Sequence, residues 1–494
     1  MNPTLEKQMR AADAAMDAHG ETQPNETDGR AVTSPANGKK GGRPAVDWGL
    51  LAEDFMAKTG CRAIGRKEGT YLYNPAIGAY RLHSPRELDI VAGGYLRGCG
   101  AGIPYSANGE RNLAGALRAS DGNLSLVPPV FLSTGRSAAG WIAMRNGLLD
   151  VEAAARGESV VLLDHTPDFF STYALPYDWN PTAPCPRFMR FMEESQPDAG
   201  GRDMCQMLAG LLLVPDTSFQ VFWILYGDGG CGKSTYMAII REMLGRDNVC
   251  RVPLADFADK FKVGNLTQKL ANLVDDSPTA DGMRNSMNGI EGALKEATGG
   301  RATMNFEPKG VDADTSRLVT ARCVFCQNPP LPYFVDRSEG LWRRLRVIPF
   351  PVRFDGTAAR NPHLAEEIIA DELPGVFAWA VRGLGRLRPL GGFPQSAAGE
   401  AIIAEHRATC DREKTFLGDR YTYSPGAFTP SSVIFAAYKE WCGEEGYSAK
   451  GGGNFVQEVR RVFPRVEHVK MRWMGQQKRG FLNLATVAEE AEEE

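Results

Sequence analysis

Residues 219–242 read FQVFWILYGDGGCGKSTYMAIIRE: a short apolar run, a glycine-rich turn, then a run of helix formers. The apolar run 219–226 predicts a strand, and KSTYMAIIREML from Lys233 onward predicts a helix. The turn between them, GDGGCGKS, fits the pattern G-x-x-x-x-G-K-[ST] in the strand–turn–helix setting that such a turn needs. Gly227, Gly229, Gly230 and Gly232 let backbone amides curl around an anion with no Cβ in the way. The helix that follows adds the positive end of its dipole. A nucleoside triphosphate suits this turn: Lys233 would reach the β- and γ-phosphates, Ser234 would ligate Mg²⁺, and Thr235 follows at the start of the helix. Cys231 reads as no more than a small residue within the turn.

Outward from the turn, residues 185–388 alternate strand and helix signals, which predicts a parallel α/β sheet. Besides 219–226, strands are expected over 270–274, 318–325 and 345–350. KLANLVDDSP ends its apolar run in Asp275 and Asp276, and a nucleotide hydrolase needs such a pair. One carboxylate, taken here as Asp275, would hold the Mg²⁺ shell while the other orients and deprotonates the attacking water; the residues leave open which Asp does which. In ARCVFCQNPPLP, Asn328 ends a strand that the prolines then block, so its amide either senses a γ-phosphate or simply makes a turn. In DRSEGLWRRLRVIPF, Arg343 and Arg344 precede the last strand. They suit bidentate phosphate contact across a subunit boundary, or are a solvated or salt-bridged pair.

The flanks are less specific. Residues 1–46 are polar, Gly- and Ala-rich and without periodicity, and read as disordered. Residues 47–198 carry mixed α/β signals, including a hairpin around 74–78 and strand-like runs in WIAMRNGLLDVE and SVVLLDHTPDFF, with no catalytic constellation; His83 and His165 stand alone. A linker or helical lid over 389–420 follows the ATPase segment 199–388, and 488–494 is an acidic tail. Over 421–487 two helices and a hairpin around Gly475 read as a winged-helix-like unit, with apolar Val433, Ala436, Ala437 and Trp441 close to one face of its first helix. That unit holds nine Lys and Arg against five Asp and Glu, a local excess hidden in the chain's net charge of −4. Arg460, Arg461, Lys470, Arg472, Lys478 and Arg479 could form a duplex-binding surface, or the unit could serve as a lid or subunit contact.

No stretch approaches the roughly 18 apolar residues of a membrane span. The first residues lack the apolar core of a signal peptide, so a cytoplasmic protein, in a bacterial host, is expected. Ten scattered cysteines suit a reducing compartment. The pair Cys323–Cys326 lies on a strand, pointing to opposite faces, and reads as core thiols rather than a metal site.

In order along the chain, GDGGCGKS, LANLVDDSP, LKEATGGR, ARCVFCQNPP and SEGLWRRLRVIPF resemble superfamily 3 helicases of the phage and plasmid primase–helicase group, related to the poxvirus primase–helicase. AMRNGLLDVE and DHTPDFFSTYALPYDWNPTAPCPRFMRFM resemble that group's pre-helicase domain, so the likeness covers roughly 140–484. The resemblance implies an α/β fold with an AAA+-type P-loop core, an α/β N-terminal domain and a winged-helix-like end. It implies a homo-hexameric ring that binds ATP and Mg²⁺ at subunit interfaces and translocates 3′ to 5′ on single-stranded DNA, opening forked DNA. By the same likeness Asp275 and Asp276 are the acidic pair, Asn328 the γ-phosphate sensor, and Arg343 or Arg344 the finger supplied in trans. Lys295 leads into a pore-lining hairpin, and Lys309 falls near its tip. Two departures stand out. The acidic strand ends in Asp276 where the group more often has Glu, one methylene longer. No paired aspartates of a primase precede residue 140, so a separate primase or host replication protein is an expected partner. The rival readings are an AAA+ origin-binding initiator that melts DNA without processive unwinding, and an AAA+-type motor acting on protein or in defence.

Overall fold

The computed structural model describes residues 33–34, 45–66, 69–99, 103, 105–120, 128–275, 287–300, 303–306, 315–334, 336, 339–356, 361–445 and 449–487. Asp276 and Lys309 lie outside them. The chain divides into two compact units, Met1–Pro332 with Ser338–Gly399, and Tyr333–Arg337 with Glu400–Glu494.

The first unit is built on a five-stranded, all-parallel sheet: β1 Phe222–Tyr226, β2 Val249–Cys250, β3 Ala271–Val274, β4 Arg322–Gln327 and β5 Leu345–Pro349. Their order across the sheet is β2-β3-β4-β1-β5. The strands begin and end within a few residues of the expected ones. All of FWILY in β1 and RCVFCQ in β4 is buried or nearly so, because helices cover both faces of a parallel sheet. Five helices matter below: α1 Pro186–Ser195, α2 Ala199–Leu211, α3 Lys233–Leu244, α4 Met287–Ala297 and α5 Leu373–Leu387. One sheet face, with Trp223, Leu225, Leu273, Val324 and Ile348, joins α1, α2, α3 and α5 in a single core. Trp223 and Phe393 meet edge to face at 5.1 Å, and on the other face Phe257 packs on Phe325 at 6.0 Å.

Ahead of this core, helices Trp48–Thr59, Pro85–Gly98 and Ala107–Ala119 accompany a three-stranded antiparallel sheet, Ala63–Arg66, Gly69–Asn74 and Ala79–His83. The hairpin around 74–78 is as expected. The helix Pro85–Gly98 starts on a reciprocal cap in which Ser84 and Glu87 satisfy each other's backbone amides. WIAM and GLLD pair antiparallel, but SVVLL forms no strand: it makes one bridge, Leu148 to Leu163, and Val161 is 81% exposed. β-branched residues favour a strand only where a neighbour supplies the hydrogen bonds.

In the second unit, helices Ala397–Cys410 and Arg412–Arg420 lead to strand Tyr421–Pro430, helices Ser431–Glu444 and Gly452–Val462, and the hairpin Glu467–Trp473 with Gln476–Thr486. The hairpin's second strand pairs with Tyr421–Pro430 to make a three-stranded antiparallel sheet. The buried face of Ser431–Glu444 is Ile434, Tyr438 and Cys442; Val433 and Ala436 are exposed, against the face expected from sequence. Tyr438 explains the rotation. It stacks on Phe455 at 4.3 Å, and its hydroxyl donates to the buried Glu413 at 3.0 Å, so an aromatic with a polar tip outcompetes the smaller apolar residues. Among the described residues, no helix is long and apolar enough to cross a membrane.

Candidate nucleotide site

In a parallel sheet every strand delivers its following loop to the same edge, which is where open α/β sheets bind ligands. Here that edge receives the turn after β1, Asp275 after β3 and Asn328 after β4. The turn takes its shape from glycine at two points: Gly230 and Gly232 have φ of 74° and 92°, a region costly for any other residue. Gly232 then starts α3, so the first free amides of that helix face the turn.

Lys233 is almost wholly buried. Its ammonium donates to the carbonyls of Gly227 at 2.6 Å and Asp228 at 2.8 Å, to Cys231 Sγ at 3.2 Å and to Asn328 Oδ1 at 3.1 Å. The lysine thus links the turn to the end of β4. Cys231 does more than its size foretold, since its sulfur accepts from this ammonium. Asp275 Oδ2 accepts from Arg241 Nη1 at 3.0 Å and Arg251 Nη2 at 2.8 Å, while its Oδ1 is buried without a partner.

These groups open onto a cleft of about 570 Å³, a size that suits a small organic ligand. Gly229, Gly230, Gly232, Lys233, Ser234, Thr235, Asp275 and Asn328, all expected from sequence, line it. Phe191 and Glu194 from α1, and Phe354, Asp355 and Asn361 beyond β5, line it too. Sequence reasoning missed these five, and Arg241 and Arg251 with them. No motif marks them; the fold brings them in from distant segments. Phe354 N–H donates to Gly230 O at 2.9 Å, which ties its loop to the turn. An Mg²⁺ ion fits this donor set: Ser234 and Asp275 line one cleft, and a hydroxyl and a carboxylate with one unsatisfied oxygen are hard oxygen ligands.

Arg343 and Arg344 are not at this edge. β5 runs parallel to β1 with Leu345 opposite Phe222, so both arginines sit where the strands begin. That is roughly 15 Å from the turn, the length of a five-residue strand. Arg343 is exposed; Arg344 Nη1 donates to Gly340 O, and its buried Nε has no partner. Burial, with Arg343 beside it, pushes the Arg344 guanidinium below its ordinary range.

Lys295 lies in the last turn of α4, which leads through Gly299 and Gly300 to the antiparallel strands Thr303–Phe306 and Thr315–Leu318. The expected hairpin is therefore present, with its tip outside the described residues. Cys323 and Cys326 are buried and in no disulfide, and burial pushes Cys323 up.

In the second unit Lys470 stands directly across the hairpin from Arg479, and Arg472 shares the Lys470 face, two residues on. Like charges opposed in this way destabilise a hairpin unless something anionic sits on them. His468, on the same face, stacks on Phe481 at 4.8 Å and meets Ser431 Oγ at 2.9 Å. Burial pushes His468 down, and the charges of Arg479 and of Arg460, on helix Gly452–Val462, add to it. Lys478 lies across from Met471 on the other face. Arg461 is drawn elsewhere: it forms a bidentate pair with Asp411, at 2.6 and 3.0 Å, and donates to Glu458 at 2.7 Å. Arg461→Ala should therefore cost about 1 kcal/mol of stability, a modest figure because the arginine is 38% exposed; denaturant unfolding checks it.

Three family models match the chain. Residues 128–197 match the model described as D5 N terminal like, and 414–494 match Poxvirus D5 protein-like. Residues 225–344, from β1 to Arg344, match a family of unknown function, DUF5906. A protein of Acanthamoeba polyphaga mimivirus that is named as a helicase is 23% identical over 390 residues, which is 70% of this chain and 35% of the relative. The chain thus spans about a third of that relative's length. Among solved structures, the apo NrS-1 C-terminal region matches with a TM-score of 0.54 at 13% identity, covering 89% of this chain and 100% of that one. The A form apo structure of that region gives 0.51 at 12% identity, over 88% and 98% of the two chains. The fold is shared at that level, and with two segments matching D5-type models and a helicase-named relative, the chain resembles the primase–helicase group.

Proposed function

We propose that this protein is an ATP-driven, ring-forming DNA helicase of superfamily 3 that serves replication of a phage, plasmid or mobile element. The observation that carries the reading is the convergence of Lys233, Ser234, Asp275 and Asn328 on one cleft at the carboxyl edge of the sheet. The strand order, with β4 between β1 and β3, supports the reading of an AAA+-type core.

ATP is the substrate, with Mg²⁺ neutralising charge on its β- and γ-phosphates. Backbone amides of the turn and the start of α3 hold the phosphates. Lys233 exchanges its carbonyl partners for phosphate oxygens while it stays close to Asn328. That bond gives Asn328 a way to report whether a γ-phosphate is present. Asp275 and Ser234 hold the metal's ligand shell, and Asp276 orients and deprotonates the attacking water. Arg343 or Arg344, too far from their own cleft, serve that of the next subunit, which makes a ring necessary for turnover.

On the DNA side, Lys295 and the hairpin with Lys309 face the strand in the pore. The helix–strand–helix–helix–hairpin order of the second unit supports the reading of a winged helix. Its basic cluster of Arg460, Lys470, Arg472 and Arg479, with Lys478 on the far face of the wing, contacts duplex. Lys470→Thr should then weaken duplex binding at low salt yet stabilise the hairpin by a few tenths of a kcal/mol, and Arg461→Ala should leave binding unchanged. Equal losses from the two variants would assign the cluster no DNA role.

Turnover of ATP by purified protein, with and without single-stranded DNA, tests the reading. Strong stimulation is expected. Turnover indifferent to DNA would favour a motor acting on protein, and no turnover in either condition would remove the hydrolase assignment.

A further inference from the structure

Asp275 is held in a way that the nucleotide reading does not require. One of its oxygens takes two guanidinium groups, from Arg241 at 3.0 Å and Arg251 at 2.8 Å, while the other is buried and unpartnered, in a side chain that lines the cleft. The two arginines come from opposite directions. Arg241 is on α3, eight residues and about 12 Å beyond the phosphate-loop lysine that starts the helix. Arg251 directly follows β2, the strand next to β3. The carboxylate is thus braced between the phosphate-binding helix and its neighbouring strand.

Arg241 has another acid close by, Glu242, but does not use it closely. Glu242 lies 4.0 Å away and takes Arg246 at 2.6 Å instead. Arg241 and Asp275 are both about four-fifths buried, whereas Arg251 is 59% exposed, so Arg241 is the main brace and Arg251 the lesser one.

We infer that Arg241 and Arg251 are positioning residues that lock the Asp275 side chain through Oδ2 and leave Oδ1 without a protein partner, setting how strongly the site takes a metal–nucleotide complex. The inference rests on the proposed nucleotide site. Two guanidinium groups on Oδ2 fix both side-chain torsions, so no rotamer freedom is lost when Oδ1 gains a partner. They also keep Oδ2 from competing for the same partner.

Equilibrium binding of ADP to the full chain, measured once with Mg²⁺ and once with EDTA, tests this. Wild-type protein should bind ADP in EDTA and more tightly with Mg²⁺. Arg241→Gln should lose about tenfold of that metal-dependent gain while its EDTA affinity stays within about twofold. Arg241→Lys, which keeps one donor to Asp275, should recover most of the loss, and Arg251→Gln should lose about threefold. A merely structural brace would lower both affinities together, and that result, or an unchanged gain in Arg241→Gln, overturns the inference. If Arg241→Gln does not fold, Arg251→Gln carries the test, and an undiminished metal gain there overturns it equally. Wild-type protein that binds no ADP in either condition would instead remove the nucleotide site.

Discussion

Lys233→Ala is expected to lower nucleotide affinity at least about 100-fold and to abolish turnover. The ammonium is buried and has four acceptors within hydrogen-bond distance, three in the turn and one on Asn328. Removing it withdraws the only positive side chain that lines the cleft among the described residues. A triphosphate entering the variant would give up its water for amide dipoles alone, and an unpaired charged group in such a place costs roughly 2–5 kcal/mol. The variant also loses the brace between the turn and β4, so its melting temperature should be read beside its affinity. A small thermal shift with a large binding loss identifies a ligand contact. Retained affinity in a folded variant would show that the turn does not bind phosphates.

A second large effect concerns Arg343 and Arg344. Both stand at the opening ends of the strands, roughly 15 Å from the turn of their own chain, a gap no side chain spans. If one of them stabilises the transferring phosphoryl group, it does so for a neighbour, and its loss should cost about 10³-fold or more in turnover. The geometry makes a complementation experiment decisive. Arg343→Ala/Arg344→Ala subunits keep an intact cleft but offer no arginine; Lys233→Ala subunits offer the arginines but have no working cleft. Each parent alone should be inactive, and mixtures should regain turnover at junctions that pair a good cleft with a good arginine. An active arginine double variant would return the pair to an ordinary surface role. Mixtures as dead as their parents would deny the trans arrangement.

The sequence made the glycine-rich turn legible because its chemistry is local. Backbone amides, a lysine and a hydroxyl lie within eight residues, and the spacing alone brings them together. Asp275 and Asn328 were legible for a related reason: each ends an apolar strand, and parallel strands deliver their ends to one edge. Arg241, Arg251, Glu194, Phe354 and Asp355 were not. Their roles depend on which helix or loop lands beside which strand, a long-range outcome that no periodicity encodes. The buried face of Ser431–Glu444 failed differently. Ranking by apolarity favoured Val433, whereas burial went to Tyr438 because Glu413 satisfies its hydroxyl. Arg461 shows the limit of counting charge, since Asp411, which caps a neighbouring helix, and Glu458, on the same helix as the arginine, take up a cation that composition assigned to a binding surface.

Strand displacement from a forked DNA duplex, followed with ATP present, with ATP omitted and with Lys233→Ala protein, tests the central claim most directly. The account predicts release of the labelled strand only with ATP and only by wild-type protein. A duplex that stays closed while ATP is consumed in the presence of DNA would contradict it and leave an initiator that binds DNA without unwinding it.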